Sequence, residues 1–438
     1  MVVGDIILAY FALFLVLMFR YRDYSLFPGP ETRQFFFHFS IINLFWLLLL
    51  FAFDFYETAA ARKTVILLKN LALFAILAML FGALYFYLNP FSRIDPKTIL
   101  FFDIIVFCGF IMLWRSAFGL MIRGAKFRRK IAVVGWQPEL DELAPILLSS
   151  NCEIAAVFSA SAFPGFETIK IFSNPNKFIE AIKQEKIDLI IVAAKPGAEE
   201  SLVGGLLTDI ALKIKTVSLE DFYEETAGKV PLRLIDEVWI LDNISKSNRK
   251  NFRIAKRIFD IAVSLIGLAV TVVVSPFIVA AIKIDSPGPV FYAQKRKGKG
   301  GKEFLLYKFR TMTATPEQYL IPRAHDAGQI TGAGMILKKT HLDEFPQFYN
   351  ILKGDLSFVG PRPEWEKLAG EYEKEIPFYR YRYLVPPGFT GWAQINFPPS
   401  NSILEARGKF EYDIYYIKNG SFMFDVAIIL KTIQLFFR

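Results

Sequence analysis

Long runs of apolar residues set the first limit on what this chain can fold into, and they are unevenly placed. They fill much of the first 121 positions and return at residues 258 to 284. A helix crosses the hydrocarbon core of a membrane with about 20 mostly apolar residues. Four segments of the first region meet or approach that length: Ile6 to Phe19, Phe35 to Phe53, Leu71 to Leu88 and Ile99 to Met121. Each is expected to span. The first is short, like the apolar stretch of a signal peptide, but Arg20, Tyr21 and Arg22 follow it in place of a small-residue cleavage site, so it reads as an anchor. With 53% of 438 residues hydrophobic, part of the chain must sit in lipid. The order is membrane, soluble, membrane, soluble.

After the fourth span come Arg123, Lys126, Arg128, Arg129 and Lys130, the densest basic run near any of the four. Positive charge collects on the cytoplasmic side of spans, which places this run, and Met1 with it, in the cytosol. Asp103 and Arg115 lie inside the fourth span; pairing, or snorkelling near its ends, is the expected role. The formal charge of +9 suits anionic lipid or a phosphorylated substrate rather than nucleic acid in such a chain. Two cysteines, Cys108 and Cys152, make no disulfide framework, and His38, His325 and His341 have no zinc-ligand spacing.

From Lys130 the texture changes to short apolar runs, Ile131 to Val134, Glu153 to Phe158, Ile187 to Val192 and Ile214 to Val217, separated by helical patterns. This rhythm predicts a small parallel-sheet domain. The first strand ends at Gly135, but Trp136, Gln137, Pro138 and Glu139 follow, and Ser159 stands where an acidic ribose ligand belongs. A dinucleotide is therefore not expected here. The polar, basic linker to Arg257 leads into Ile258 to Ile284, long enough to span. Ser275 and Pro276 interrupt it, proline removes a backbone donor, and Lys256, Arg257 and Lys283 make both ends basic. A re-entrant hairpin satisfies both facts; a plain fifth span is the alternative.

Phe291 to Lys295 and Glu303 to Phe309 flank Gly298, Gly300 and Gly301, a β-hairpin pattern that puts Lys308 and Arg310 on one face. Two cations so placed can grip a diphosphate, although a solvated charged face is the commoner reason for such a pair. Lys338, Lys339, Thr340, His341, Leu342, Asp343 and Glu344 precede Phe345 and Pro346 and a helical pattern ended by Gly354. Thr340 with Asp343 suits a capping box. The same residues suit phosphoryl chemistry, since adjacent carboxylates can hold Mg²⁺ while one oxygen attacks phosphorus. Arg362 between Pro361 and Pro363 sits on a restricted backbone that presents its guanidinium to phosphate at little ordering cost.

These residues resemble the monotopic phosphoglycosyl transferases, also called polyprenyl-phosphate hexose-1-phosphate transferases. The resemblance covers Lys256 to Arg438 closely and the first 250 residues more loosely, in the manner of the large multi-domain members. It rests on Ser275-Pro276, Lys308 to Met312, Leu342 to Gln347, Gly354 to Pro363 and Pro387 to Asn396. It implies Asp343 as the nucleophile toward the β-phosphorus of a UDP-sugar, with UMP released and undecaprenyl phosphate attacking the resulting phosphosugar enzyme. Glu344 and Mg²⁺ would organise the diphosphate, and Lys308, Arg310, Lys338 and Arg362 would hold phosphate oxygens. Two departures stand out: Lys338 replaces the usual arginine, and Asp326-Ala327-Gly328-Gln329 replaces Asp-Pro-Arg before Ile330-Thr331. Glucose or galactose is the sugar the resemblance suggests.

The expected organisation is a four-helix transmembrane domain over residues 1 to 125 and a degenerate Rossmann-like α/β domain over 126 to 244. A linker over 245 to 257, the re-entrant membrane hairpin over 258 to 284 and a mixed α/β catalytic domain over 285 to 438 complete it. Regulation, or subunit contact in a homodimer, is expected of the middle domain. Ser421 to Arg438, rich in Phe, Ile and Leu, is expected to bed on membrane lipid as an interfacial helix, with packing in the soluble core as the alternative. A membrane-bound nucleotide-sugar dehydratase would need the glycine-rich loop that Gly135 does not open, and a decayed scaffold would lack the Asp343-Glu344 pair.

Overall fold

The computed structural model describes residues 2–21, 30–53, 55, 64–89, 97–124, 129–135, 137–149, 152–159, 170–193, 214–244, 250–313, 330–398 and 402–436. Arg22, Lys126, Arg128, Trp136, the start of the linker at 245–249, His325 and the Asp326 to Gln329 departure lie outside them. The chain divides into two compact units, Met1–Phe222 with Ile433–Arg438, and Tyr223–Thr432.

In the first unit, four long helices follow the four apolar segments: α1 (Val2–Tyr21), α2 (Pro30–Ala52), α3 (Thr64–Leu88) and α4 (Lys97–Gly124). Each contains a stretch long and apolar enough to cross a membrane. Ala9, Ala12 and Leu13 of α1 are buried, and Trp46, Phe74 and Phe107 of α2, α3 and α4 meet in an aromatic centre. Arg115 of α4 donates to the carboxylate of Asp5 on α1 at 2.7 Å, both side chains buried. Pairing is thus the outcome for Arg115, with a partner 110 residues away that the sequence did not indicate. Asp103 is also buried.

The apolar runs after Lys130 form β1 (Arg129–Val134), β2 (Cys152–Phe158), β3 (Lys170–Phe172), β4 (Leu189–Val192) and β5 (Lys215–Ser218) in a parallel sheet of order β3-β2-β1-β4-β5. Helices α5 (Glu139–Ser149) and α6 (Pro175–Glu185) connect them. The strand order reverses between β1 and β4, where open α/β sheets commonly take ligands. There the side-chain amide of Gln137 reaches across to the carbonyl of Ala193 at 2.6 Å.

The second unit begins earlier than the sequence indicates. The C-terminal part of α7 (Leu219–Ala227) and all of α8 (Glu237–Ile244) belong to it. Val230, Leu232, Ile235, Ile240 and Ile244 share a core with Phe410 and Ile414, and Lys418 and Lys229 pair with Glu224 and Glu411. Tyr223 to Ile244 thus groups with the second unit, burying its apolar side here.

Helix α9 (Lys250–Asp285) runs on through Ser275 and Pro276 as one helix, where the sequence predicted a kink or break. Pro276 cannot donate to the carbonyl of Val272, but the Ser275 hydroxyl donates to that oxygen at 3.1 Å. A neighbouring hydroxyl thereby satisfies the group that the proline orphans. The helix lies along the second unit over most of its length. Near its start Lys256 pairs with Asp425 at 2.6 Å, and Arg257 donates to the carbonyls of Ile351 and Leu352 at 2.7 Å each. Asp260 accepts from Ser357 and from the amide of Phe358. A side chain at Gly267 would lie 2.6 Å from the Phe348 ring, so the approach there requires glycine. Near the end Ile278 and Ile282 pack with Phe309 and Leu337, and Asp285 accepts from the amide of Ala333. The opposite side exposes Leu265, Ile266, Val272, Val273 and Phe277.

The remaining elements are β6 (Phe291–Lys297), β7 (Glu303–Phe309), α10 (Gly332–Thr340), α11 (Gln347–Lys353), β8 (Ser357–Val359), α12 (Glu366–Glu375), β9 (Gly388–Thr390), α13 (Trp392–Asn396), α14 (Ile403–Asn419) and α15 (Phe422–Phe436). β6 and β7 form the expected antiparallel hairpin, and β8 pairs in parallel with β9. In the C-terminal segment, Asp425, Ala427, Ile428 and Leu430 of α15 are buried, and Phe424 meets Trp392, Tyr415 and Tyr416. This face of α15 packs in the core of the unit, while Phe422 and Met423 remain exposed.

Candidate active site

Three elements meet at the Asp343-Glu344 pair. Strand β7 supplies Lys308, helix α10 ends just before the pair, and the segment after β8 carries Arg362. The Thr331 hydroxyl starts α10 by accepting from the amide of Gly334. The helix stops at His341, whose left-handed backbone (φ 55) turns the chain into a single 3₁₀ turn, Leu342–Glu344. α11 follows after Pro346 and ends at Gly354 (φ 94), a conformation glycine adopts without cost. Asn350 fixes α11 to β7 by accepting from Tyr307 and donating to Leu305.

The capping-box reading of Thr340 and Asp343 does not hold in this geometry. The Thr340 hydroxyl donates back to the carbonyls of Ile336 and Leu337. The residue at the N-cap of α11 is Pro346, with no side-chain cap bond. The pair therefore has no capping duty at α11.

Asp343 is buried, and burial pushes its carboxyl above the ordinary aspartate value, with Glu344 adding to the rise while Lys308 and His341 oppose it. Burial also pushes Glu344 upward, but Lys308 and Arg362 outweigh it and hold this carboxyl below its usual range. Lys308 Nζ stands 2.5 Å from Glu344 Oε1. One carboxyl is thus lowered and its neighbour raised, two environments of the kind that separate roles in acid–base and nucleophilic sites.

The predicted phosphate-binding residues divide. Lys308 acts on both carboxyls, and Arg362 acts on Glu344 from an exposed position. Lys338, partly buried in the last turn of α10, is not among the groups acting most on either carboxyl. Arg310 is not brought to the pair: β7 ends at Phe309, and the Arg310 guanidinium donates to Pro287 at 3.0 Å and Ser286 at 2.7 Å, beyond the end of α9. Its role in this structure is to fasten that helix end. Sequence reasoning also missed Arg296 and Arg382. Burial and the charge of Arg362 push Arg296 down to about 10, and Arg382 pairs with buried Asp413 at 2.8 Å. The alternation along β6 was legible, whereas Arg382 gave no local signal.

Among the described residues, no group of three or more His, Cys, Asp or Glu forms a metal cage. Mg²⁺ does not need one, since it is commonly held by one or two carboxylates, with substrate phosphates and water completing the shell. Asp343 and Glu344, mutually repelling and partly buried, are a donor set of that kind.

A family model described as bacterial sugar transferase matches residues 251–438. A UDP-N-acetylgalactosamine-undecaprenyl-phosphate N-acetylgalactosaminephosphotransferase of Aeromonas hydrophila is 43% identical over 41% of this chain and 43% of its own length. The uncharacterized sugar transferase EpsL of Bacillus subtilis is 40% identical over 41% of this chain and 86% of its own. A UDP-glucose:undecaprenyl-phosphate glucose-1-phosphate transferase of Klebsiella pneumoniae is 29% identical over 85% of this chain and 81% of its own. The match thus spans less than half of the Aeromonas protein and most of the other two.

Proposed function

The chain belongs to the bacterial sugar transferase family, and from that premise we propose that it moves a hexose-1-phosphate from a UDP-sugar to undecaprenyl phosphate, releasing UMP. The observation that carries the reading is Asp343 itself, a buried carboxyl without a capping duty, beside the ionised Lys308–Glu344 pair.

A carboxylate oxygen of Asp343 bonds to the β-phosphorus, and the bond from that phosphorus to the bridging oxygen breaks. UMP leaves with the bridging oxygen, and the phosphosugar stays on Asp343 as an acyl phosphate. An oxygen of undecaprenyl phosphate then attacks the same phosphorus, expelling the Asp343 carboxylate and forming the undecaprenyl diphosphate sugar. Lys308 holds the Glu344 carboxyl below its usual range and opposes the rise that burial and Glu344 impose on Asp343. Arg362 offers a planar cation to phosphate oxygens. Mg²⁺ held by Asp343 and Glu344 would neutralise charge developing on the diphosphate.

The reading places the catalytic unit at the cytoplasmic face of the bacterial inner membrane, in the first membrane step of exopolysaccharide or O-antigen synthesis. Helix α9 would enter and leave the lipid on that face. Both of its end regions bind the same unit, through Arg257 at one and Asp285 at the other. A straight helix of its 36 residues would reach about 54 Å, well beyond a hydrocarbon core of about 30 Å. UMP release measured across UDP-glucose, UDP-galactose and their N-acetylated forms, with undecaprenyl phosphate present, tests the reading and selects the sugar. Release with at least one of these is expected; none with any, from folded protein, refutes it.

A further inference from the structure

The segment Pro361 to Glu364 is held in an unusual way. Pro361 and Pro363 have no amide hydrogen, so the segment can be fixed only through its carbonyls and two remaining amides. Four consecutive carbonyls are each claimed by a donor from another part of the unit. Pro361 accepts from the Gly388 amide at 2.9 Å, and Glu364 from the Lys297 amide at 3.1 Å. The two between them accept from arginine side chains: Arg362 from Arg382 Nη2 at 3.1 Å, and Pro363 from Arg296 Nη1 at 3.0 Å.

Each of these guanidiniums is itself held. Arg382 is buried and pairs with Asp413 at 2.8 Å, while its other nitrogen bonds the Tyr379 hydroxyl. Arg296 is tied to Gln294 on its own strand at 2.5 Å. Within this clamped segment, the Arg362 side chain alone projects to an exposed position, and it lowers the Glu344 carboxyl. We infer that Arg296 and Arg382 are positioning residues that act on the reaction through Arg362, fixing its backbone so that its guanidinium meets the phosphate oxygens of the donor. The inference rests on the reading of Arg362 proposed above. A displacement of about 1 Å in a positioned group can cost about a hundredfold in rate, which is the scale such clamps protect.

Double-mutant cycles in the full chain test this, with kcat and KM measured for the UDP-sugar that the turnover panel selects. Arg296→Met and Arg382→Lys, the second keeping a cation for Asp413, should each lower kcat/KM by about tenfold to a hundredfold while Arg362 is present. In the Arg362→Ala background the same changes should cost less than about twofold, because the group they position is gone. Arg296→Lys, which keeps a donor for the Pro363 carbonyl, should recover part of the loss. Equal losses in both backgrounds overturn the positioning role and leave the reading of Arg362 standing. Wild-type turnover in Arg362→Ala alone overturns that reading instead. Should Arg382→Lys fail to fold, the Arg296 cycle gives the same decision.

Discussion

Replacing Lys308 with methionine removes one charge at the centre of the site and little volume. Lys308 Nζ lies 2.5 Å from Glu344 Oε1, with the two side chains 22% and 19% exposed, and it is the strongest influence lowering both carboxyls of the pair. An opposite charge at such range favours the ionised carboxyl, and the partial exposure of the pair weakens the effect by screening. Without Lys308 the Asp343 carboxyl, already raised by burial, must rise further. The protonated acid cannot attack phosphorus, so the acid limb of the kcat/KM profile should move to higher pH. At a fixed pH on that limb, the variant should lose about tenfold in rate for every pH unit the limb has moved, while well above it the loss should shrink to whatever phosphate binding Lys308 supplies. The assay is UMP release from about pH 5 to about pH 9. A variant profile lowered evenly, its acid limb where the wild type has it, would show that Lys308 only binds substrate and would refute the electrostatic argument.

Arg115→Met strands Asp5 in the helix pack of the first unit, and breaking such a buried pair costs about 3 to 5 kcal/mol; the thermal midpoint in detergent should fall and recover in the Asp5→Asn, Arg115→Met double variant. A single variant as stable as wild type would show that the pair is not structural. Single cysteines at Lys250 and Lys299 in whole cells should react only with membrane-permeant reagents if α9 returns to the cytoplasmic face, and opposite accessibility would make it a crossing helix. NAD should produce no binding heat with the full chain at micromolar concentration, since Gly135 opens no glycine-rich loop; a saturable signal would give the parallel sheet a cofactor role.

Elements governed by periodicity were legible. The four apolar segments became α1 to α4, and the runs around Val133, Val157 and Ile191 became adjacent parallel strands, because both patterns report burial directly. What escaped depended on partners distant in sequence. Pro276 was read as a break because a single-residue rule omits the Ser275 hydroxyl that serves Val272. Strand alternation put Arg310 beside Lys308, yet only the folded chain brings the carbonyls of Ser286 and Pro287 to its guanidinium. Tyr223 to Ile244 looked like the end of the sheet domain, and its apolar residues find their core against Phe410 and Ile414. At the site, Asp343, Glu344 and Arg362 entered as candidates through the motifs of the family resemblance, whereas the clamp of Arg296 and Arg382 joins strands and turns far apart in the chain.

The central claim is that Asp343 carries the phosphosugar, and retention of label tests it most directly. Full-length enzyme is mixed with Mg²⁺ and a UDP-sugar labelled at the β-phosphate, without lipid acceptor, and protein-bound label is counted against UMP released. Wild type should release up to one UMP per site and retain the matching label, which undecaprenyl phosphate then discharges. Asp343→Asn keeps the shape but not the charge, so it should retain none, with turnover down by several orders of magnitude and the thermal midpoint nearly unmoved. Near-normal turnover in that variant, or no label on a wild-type enzyme that turns over with acceptor present, would contradict the covalent mechanism.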